Sequence, residues 1–370
     1  MMNNTCVVQP RAAVQATPFS PHGAFDFDEL ERLGLRPEDV LDFSVNSNPH
    51  GPSPRVVEAL SHVRWDVYPD REALALRRAL AERLNVNPQA IVVGNGVSEL
   101  ILLVVLAYVQ PGQRVLIIGP TYGEYRRAAS LMEAQIEQWN SRAESSFPVD
   151  VEAILAQNAP PHLAFLCNPN NPTGTRLSLE SVARLAAAWP QTLWIVDEAY
   201  LPFAPNATSA LDLGRENILI LRSMTKDYAL AGLRLGYAAG NESVISALAR
   251  VRPPWNVNAL AQAAGLAAIS DHEYLAHSLE LIWKDKQQLV EGLQVVGLRL
   301  YPSATHFFLV ETGDGAVTRR ALLRRGLLVR DCTSFGLPTC VRIATRQREE
   351  NLRLISVIRE LDTDCTEGHG

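Results

Sequence analysis

A chain of 370 residues is long enough for two or three domains with a large core. Its composition, 47% hydrophobic and 20% charged, is typical of a globular protein. The net charge of -6 argues against a nucleic-acid or membrane-surface role, because both need a basic patch. We therefore expect a small molecule as partner, with no nucleic acid and no membrane.

The five cysteines are odd in number and scattered, so neither a disulfide framework nor a metal site is expected. This usage is typical of the reducing cytoplasm. The first twenty residues contain no apolar segment of the signal-peptide type, and no run approaches the roughly 18 apolar residues that span a bilayer. We expect a cytoplasmic protein with a flexible arm over residues 1–21 and a flexible tail over residues 362–370.

After a predicted helix at residues 26–33 and a turn-rich loop at 46–52, apolar strands alternate with amphipathic helices up to about residue 240. The predicted strands cover residues 90–93, 115–118, 163–167, 193–196 and 218–221. Their apolar residues are continuous rather than alternating, which predicts a mostly parallel sheet covered by helices on both faces. The fold class is therefore α/β.

From about residue 244 the pattern changes to a long amphipathic helix at 273–296, followed by the short strands and helices of a compact α+β unit. We predict a large domain over residues 50–243. A small domain, made of residues 22–49 and 244–361, would close over it.

Chemically unusual residues directly follow five of the predicted strands. The segments are Gly94-Asn95-Gly96, Gly119-Pro120-Thr121-Tyr122, residues 168–174, Asp197-Glu198-Ala199-Tyr200 and residues 223–226. In a doubly covered parallel sheet the ligand site lies at the carboxyl ends of the strands. We therefore expect these segments to converge on one site.

Lys226 stands out because the sequence has only three lysines, and Lys284 and Lys286 sit together on a charged helix. It follows the apolar strand at residues 218–221. A deprotonated lysine at such a place can form a Schiff base with a carbonyl. Pyridoxal phosphate is the commonest carbonyl cofactor bound this way, so we predict this cofactor.

A site for this cofactor must contain groups that bind its phosphate. The segment Gly94-Asn95-Gly96 opens a helix, so backbone N–H groups and the helix dipole are available to an anion, although a tight turn explains it equally well. Ser223, Thr225 and Arg234 add two hydroxyls and a fixed positive charge.

Asp197 directly follows a buried strand, where a carboxylate is expensive to place. It could hold the proton of a pyridinium nitrogen, or it could be a helix N-cap. Tyr200 and Asn171 could donate to the ring's phenolic oxygen. Tyr122 could stack on the ring face, or it could belong to the core.

Five motifs carry a family resemblance. They are Gly94-Asn95-Gly96, Asn171-Pro172-Thr173-Gly174, Asp197-Glu198-Ala199-Tyr200, Ser223-x-Thr225-Lys226 and Gly232-Leu233-Arg234-Leu235-Gly236. Together they resemble the fold-type I pyridoxal-phosphate enzymes of the class I/II aminotransferase group. The resemblance covers residues 22 to about 361, with the motifs in the family's order and spacing.

The resemblance implies that Lys226 forms the Schiff base and later moves protons, and that Asp197 pairs with the pyridine nitrogen. It places Tyr200 and Asn171 on the phenolic oxygen and Tyr122 on the ring face. The residues implied for the phosphate are Gly96, Val97, Ser223, Thr225 and Arg234.

Tyr68 matches a tyrosine that reaches the neighbouring subunit's phosphate in this family, which implies a homodimer. His306 departs from the family, because relatives tend to have asparagine there. The role of that position is therefore open.

Two branches of the family have similar sites: histidinol-phosphate aminotransferase and the threonine-phosphate decarboxylase of cobalamin synthesis. The segments at residues 22–23, 42–49, 254–259 and 330–346 are more similar to the decarboxylase. The resemblance then implies five residues for the substrate's phosphate and carboxylate: His22, Ser44, Asn46, Arg330 and Arg342. We expect a threonine-phosphate decarboxylase-like lyase, with a histidinol-phosphate or related aminotransferase as the alternative.

Two other classes of protein remain as alternatives. A dinucleotide-binding oxidoreductase would need a third glycine where Glu99 stands. A non-catalytic binding domain of the same fold would have no reason to keep Lys226, Asp197 and Arg234 together.

Overall fold

The computed structural model describes residues 8–157 and 159–367. Its helices are α1 Ala12–Ala16, α2 Phe27–Leu33, α3 Pro54–Ser61, α4 Leu74–Leu84, α5 Gly96–Tyr108, α6 Gly123–Leu131, α7 Val151–Gln157, α8 Leu179–Ala188, α9 Glu242–Val251, α10 Ala259–Ser270, α11 His272–Val295, α12 Gly315–Leu323 and α13 Arg348–Glu367. Its strands are β1 Leu41–Asp42, β2 Ile91–Asn95, β3 Arg114–Gly119, β4 Gln135–Asn140, β5 Leu163–Cys167, β6 Leu193–Asp197, β7 Ile218–Ser223, β8 Leu235–Gly240, β9 Arg299–Leu300, β10 Phe307–Glu311, β11 Leu327–Leu328, β12 Arg330–Asp331 and β13 Cys340–Ala344.

Seven strands form the central sheet, in the order β2-β8-β7-β6-β5-β3-β4. β8 runs antiparallel to both β2 and β7, and the other neighbouring pairs are parallel. The five strands that precede the unusual segments, β2, β3, β5, β6 and β7, therefore point the same way. The predicted α/β class with a mostly parallel sheet is confirmed, and the five strand ends lie at one edge.

Both faces of this sheet are buried. Trp194 and Ile220 belong to one hydrophobic cluster, whereas the alternate residues Ile195 and Leu219 belong to the cluster on the opposite face. Each such side chain contributes about 1.5–3 kcal/mol by leaving water. This two-sided burial is the physical reason for the continuous apolar runs, and it makes the sheet a rigid platform for its edge.

Two strands of the sheet, β4 and β8, have no counterpart among the predicted elements. β4 is an edge strand with the polar sequence QIEQWN and no fully buried residue, so it carries no apolar signal. β8 is buried but contains two glycines and two alanines, which have low strand propensity. Gly236 is required there, because a Cβ would lie 2.9 Å from the Arg222 carbonyl oxygen and 3.0 Å from the Val97 nitrogen.

The C-terminal unit contains a four-stranded antiparallel sheet in the order β12-β13-β10-β9, with α11 and α13 packed beside it. β1 pairs with β11, with Leu41 opposite Leu327, and Phe43 is buried in the core of this unit. The two-domain division stays a prediction. Val244 of α9 and Ala264 of α10 pack with the large sheet, which supports extending the large domain past residue 243.

The termini differ from their predictions in the described residues. Residues 12–16 of the predicted flexible arm form α1, which lies against α6, and residues 1–7 fall outside the description. α13 continues to Glu367, so the predicted tail begins as helix, and residues 368–370 fall outside. Among the described helices, none is both long and apolar enough to cross a membrane.

Candidate active site

A cavity of about 90 Å³ lies where the five strands end. Its lining residues come from the ends of β2, β3, β5, β6 and β7 and from the loops that follow: Val97, Ser98, Tyr122, Tyr125, Cys167, Asn171, Asp197, Ala199, Tyr200, Ser223, Thr225, Lys226 and Arg234. Most of the residues predicted to bind the cofactor are in this set. The structure therefore brings together groups that are more than 130 residues apart in sequence.

Lys226 lies in the loop after β7 and is fixed by its backbone. Its carbonyl oxygen accepts a hydrogen bond of 2.8 Å from the Asn48 N–H, and the Asn48 side chain donates to the Asp227 carbonyl at 3.0 Å. Burial lowers the pKa of the Lys226 amine to about 8, and the positive charges of Arg342 and Arg234 act in the same direction. A substantial neutral fraction of the amine is therefore available near neutral pH, which a nucleophile requires.

Asp197 is the last residue of β6 and is almost fully buried. The Tyr125 hydroxyl donates to its Oδ2 at 2.6 Å, and the Ala199 N–H donates to its Oδ1 at 3.0 Å. Burial raises its pKa to about 6 despite these bonds. Asp197 caps no helix, because the 3-10 turn that follows begins after Tyr200. A cationic ring nitrogen beside it would stabilise the carboxylate.

An anion cradle lies at the N-terminus of α5. Gly96 has a φ of 73°, and a Cβ there would lie 2.8 Å from Arg234 Nη2, so the glycine lets the guanidinium approach the helix end. The Ser223 and Thr225 hydroxyls lie 2.7 Å apart and line the same cavity. Glu99 accepts hydrogen bonds from the Asn95 N–H and the Asn256 side chain. Glu99 thus fixes this loop from the sequence position where a dinucleotide-binding site would have its third glycine.

The residues predicted for the cofactor ring also line the cavity. Tyr122 and Ser98 share a hydrogen bond of 3.3 Å between their hydroxyls, and burial raises the pKa of Tyr122. Tyr200 packs edge-on against Phe307, with ring centroids 4.8 Å apart, and burial raises its pKa as well. Both phenols are therefore neutral near pH 7 and can act as hydrogen-bond donors.

Arg342 is buried on β13 and contacts Asn171, which lines the cofactor cavity. Its Nη1 donates to Asn171 Oδ1, and its Nη2 donates to the Ser44 carbonyl oxygen. Burial lowers the pKa of Arg342, but a guanidinium keeps its charge. Within the described residues no carboxylate lies at ion-pair distance from it, and Asp42 is the one carboxyl group whose charge acts on it, so the buried guanidinium could bind a further anion.

Two further predicted substrate residues differ in how their polar atoms are used. Within the described part of the chain, neither terminal atom of the buried Asn46 amide makes a hydrogen bond of ordinary geometry, although the amide lies close to Tyr200. The Ser44 hydroxyl is already engaged, because it donates to Asp42 Oδ1 at 2.6 Å and accepts from the Ala24 N–H at 2.8 Å. Asn46 is therefore the freer of the two for a ligand.

His22 and Arg330 lie together in a second cavity of about 320 Å³, which Ser44 also lines. Arg330 stands directly opposite Arg342 in the β12–β13 pair and donates to the Pro21 carbonyl at 2.8 Å. The structure thus arranges the predicted substrate residues along a path from the cofactor cavity to this second cavity. Their roles stay predictions.

Two residues predicted for the cofactor, Gly96 and Tyr68, do not line the cavity; Gly96 lies beside Arg234 at its edge, whereas Tyr68 lies on the surface. Its side chain is 80% exposed and packs against Trp255, with ring centroids 4.8 Å apart. The predicted role of Tyr68 in a neighbouring subunit stays a prediction.

Sequence reasoning missed two residues that support the site. The Tyr125 hydroxyl on α6 donates a hydrogen bond to Asp197. In the sequence, its spacing of three residues from Tyr122 was the one feature that could have pointed to this residue. Asn48 ties the loop before α3 to the Lys226 backbone, and no sequence pattern could reveal that contact. His306 is fully buried against Phe203, and burial holds its pKa well below the usual range.

The family model for the class I and II aminotransferases matches residues 38–358. The histidinol-phosphate aminotransferase of Moorella thermoacetica is 35% identical over 345 residues, covering 90% of this chain and 88% of that protein. The histidinol-phosphate aminotransferase of Sinorhizobium meliloti, solved with pyridoxal phosphate, superposes with a TM-score of 0.84 at 27% identity over 96% of this chain and 99% of that one. The L-threonine-O-3-phosphate decarboxylase of Porphyromonas gingivalis gives a TM-score of 0.76 at 27% identity, over 86% and 97%.

A lysine, an aspartate and an anion cradle at the edge of a parallel sheet define a pyridoxal-phosphate site. This chain belongs to the class I and II aminotransferases, which are pyridoxal-phosphate enzymes. The residues present suit the cofactor: Gly96 and Arg234 would hold its phosphate, Asp197 its ring nitrogen and Lys226 its carbonyl carbon. When bound, the cofactor supplies the electron sink for cleavage of a bond at the substrate's Cα.

Proposed function

We propose that this enzyme transfers an amino group from a phosphorylated amine of the histidinol-phosphate type to a 2-oxo acid. The observation that carries the proposal is Arg342, a buried cation that donates a hydrogen bond to Asn171 at the cofactor cavity and forms no ion pair among the described residues. Its neighbour Arg330 lines a cavity large enough for a phosphorylated side group. The curated relatives that match about nine tenths of the chain carry the histidinol-phosphate aminotransferase name.

The chain's own groups divide the work as follows. The Lys226 amine would accept the proton that leaves the substrate's Cα and give it up again, for which a pKa of about 8 is well matched. Asp197 would keep the ring nitrogen of the cofactor protonated, and the Tyr200 hydroxyl would donate a hydrogen bond to its phenolic oxygen. Arg342 and Arg330 orient the substrate through its anionic groups, which fixes the Cα bond that is broken.

The second candidate function is decarboxylation of threonine phosphate, which the sequence motifs favour. One observation supports it: His22, Arg330 and Arg342 supply two separate places for anions, and threonine phosphate carries both a phosphate and a carboxylate. The solved Porphyromonas decarboxylase has the same fold. The curated relatives above support the aminotransferase instead, so the order of preference drawn from the sequence is reversed.

One pair of assays separates the two functions. Purified holoenzyme is incubated with histidinol phosphate and 2-oxoglutarate, and separately with O-phosphothreonine. We expect glutamate to form in the first mixture. Release of carbon dioxide from the second mixture, with no glutamate in the first, would reverse the assignment. Failure of both reactions would remove phosphorylated substrates from the proposal.

Replacing Arg342 by alanine should lower kcat/KM by about 10- to 100-fold, because a charge-assisted hydrogen bond to the substrate contributes about 1.5–3 kcal/mol. The visible absorbance of the bound cofactor should persist, since the phosphate cradle is formed by Gly96 and Arg234. Arg346 is a matched control on the same strand end, because its guanidinium is already paired with Glu350 at 2.8 Å. Loss of the cofactor absorbance in the Arg342 variant would show that this arginine serves the cofactor.

The expected assembly is a homodimer in which Tyr68 reaches the other subunit's site. The support is its 80% exposure beside Trp255 and the family resemblance. Tyr68→Phe should weaken cofactor affinity about tenfold without changing the sedimentation coefficient of a dimer, because one hydrogen bond to a charged phosphate contributes about 1.5 kcal/mol. A monomeric wild-type enzyme with full activity would overturn this part of the proposal.

A further inference from the structure

The N-terminal segment over residues 20–24, here called the strap, crosses from the large sheet to the C-terminal unit beside the active site. On the large-sheet side, Ser20 packs on Gly123, where a Cβ would lie 2.4 Å from the Ser20 hydroxyl. On the other side, the Pro21 carbonyl accepts from Arg330 at 2.8 Å, and the Ala24 N–H donates to Ser44 at 2.8 Å. The strap therefore links two of the predicted substrate residues to the start of α6.

His22 is the one titratable residue of the strap; it lines the second cavity and lies beside Tyr122 of the cofactor cavity. Its ring centroid is 5.7 Å from that of Tyr122, which lines the cavity. Its Nε2 lies 3.2 Å from Glu124 Oε1. Nδ1 has no hydrogen-bond partner among the residues described. With Nε2 held by the carboxylate, Nδ1 is the nitrogen left for a ligand.

Glu124 differs from the surface carboxylates of this protein. Its side chain is only 9% exposed, and it is held from the other side by Arg127 at 3.0 Å. The hydrogen bond with His22 is the main reason that the pKa of Glu124 is lowered, so the carboxylate is charged throughout the neutral range. A hydrogen bond to an ordered, charged acceptor holds an imidazole ring such as that of His22 in one orientation.

We propose that Glu124 is a positioning residue, which holds His22 of the strap against the second cavity so that the imidazole joins Arg330 in binding the substrate's phosphate. This inference rests on the proposed function, because it assumes a phosphorylated substrate. It adds to that function the residue Glu124, which lines neither of the two cavities.

The geometry favours positioning over a merely structural ion pair. The strap has other anchors at Ser20, Pro21 and Ala24, so the Glu124–His22 contact is not needed to attach it. Farther up the segment, Arg11 and Glu133 form an exposed ion pair at 4.0 Å, which provides a comparison. An exposed pair of this kind contributes little.

The test compares Glu124→Gln with His22→Gln, the double variant and the control Glu133→Gln. With the phosphorylated substrate, we expect KM to rise about tenfold in Glu124→Gln, while kcat and the cofactor absorbance stay unchanged. The double variant should match His22→Gln alone, because Glu124 acts through that ring. Glu124→Asp should recover part of the loss, and Glu133→Gln should behave as wild type. With an unphosphorylated substrate analogue, KM should not change.

A fall in kcat with unchanged KM, a loss of cofactor in Glu124→Gln, or additive effects in the double variant would overturn the inference and leave the proposed function in place. If wild-type enzyme turns over neither phosphorylated substrate, the proposed function fails. The affinity of the holoenzymes for inorganic phosphate, measured by titration calorimetry, then decides the inference. A tenfold weaker affinity in Glu124→Gln upholds it, and equal affinities overturn it.

Discussion

Replacing Lys226 by alanine should abolish turnover, with kcat at least a thousandfold lower, roughly the contribution of a positioned acid-base group. The reason is that no other amine in the described part of the chain lines the cofactor cavity. The absorbance of the carbonyl-linked cofactor should disappear from the variant, while the phosphate cradle still binds the free cofactor more weakly. Stopped-flow turnover and visible absorbance on the same samples measure both effects.

Lys286 is the matched control for this experiment. Burial lowers its pKa to about 8 as well, and its amine donates to the Ser303 carbonyl at 2.7 Å, away from the cofactor cavity. Lys286→Ala should therefore keep the cofactor absorbance and most of kcat. Equal losses in both variants would mean that a buried amine matters for folding here, and the role assigned to Lys226 would fall.

The sequence was sufficient for the parts of the site that are built by buried parallel strands. A strand buried on both faces must be apolar along its length, so the polar residue at its end is conspicuous, as Asp197 is after Val196. The rule that parallel strands expose their carboxyl ends at one edge then brings Asp197, Asn171 and Lys226 together without any further information. The α/β class followed from the same pattern.

Contacts between distant loops left no such signal. Asn48 and Glu124 are ordinary turn and helix residues by sequence, and only the packing of the strap and the turn-rich loop shows what they hold. The preference for a decarboxylase had the same weakness. It depended on loop motifs, whereas the bond that is cleaved in such an enzyme depends on how the substrate is oriented at a precision of about half an ångström, which a motif does not encode.

Replacing Asp197 by asparagine should lower kcat by about a thousandfold while the protein still folds. The amide cannot stabilise a protonated ring nitrogen, so the electron sink is lost at the step that needs it. Asp227→Asn is a matched control, because Asp227 is another buried carboxyl whose pKa burial raises, to about 7, and it does not line the cofactor cavity. A kcat loss of similar size in both variants would contradict the assigned role.

The same substitution should stabilise the cofactor-free protein. The Asp197 carboxyl has a folded-state pKa of about 6 against about 3.9 when unfolded, so between these values the folded state holds a proton that the unfolded state has released. Wild-type stability therefore falls as pH rises from about 4 to 6, by up to about 3 kcal/mol, and stays lower above that range. Asp197→Asn removes this cost, so its apo form should melt higher than wild type at pH 8 and equally at pH 4. Cofactor binding should remove this difference in melting temperature, because the ring's positive charge restores a partner to the wild-type carboxylate and offers none to the amide.

An apo variant that melts lower than wild type at pH 8 would show that the Tyr125 hydrogen bond, rather than the buried charge, dominates at this position.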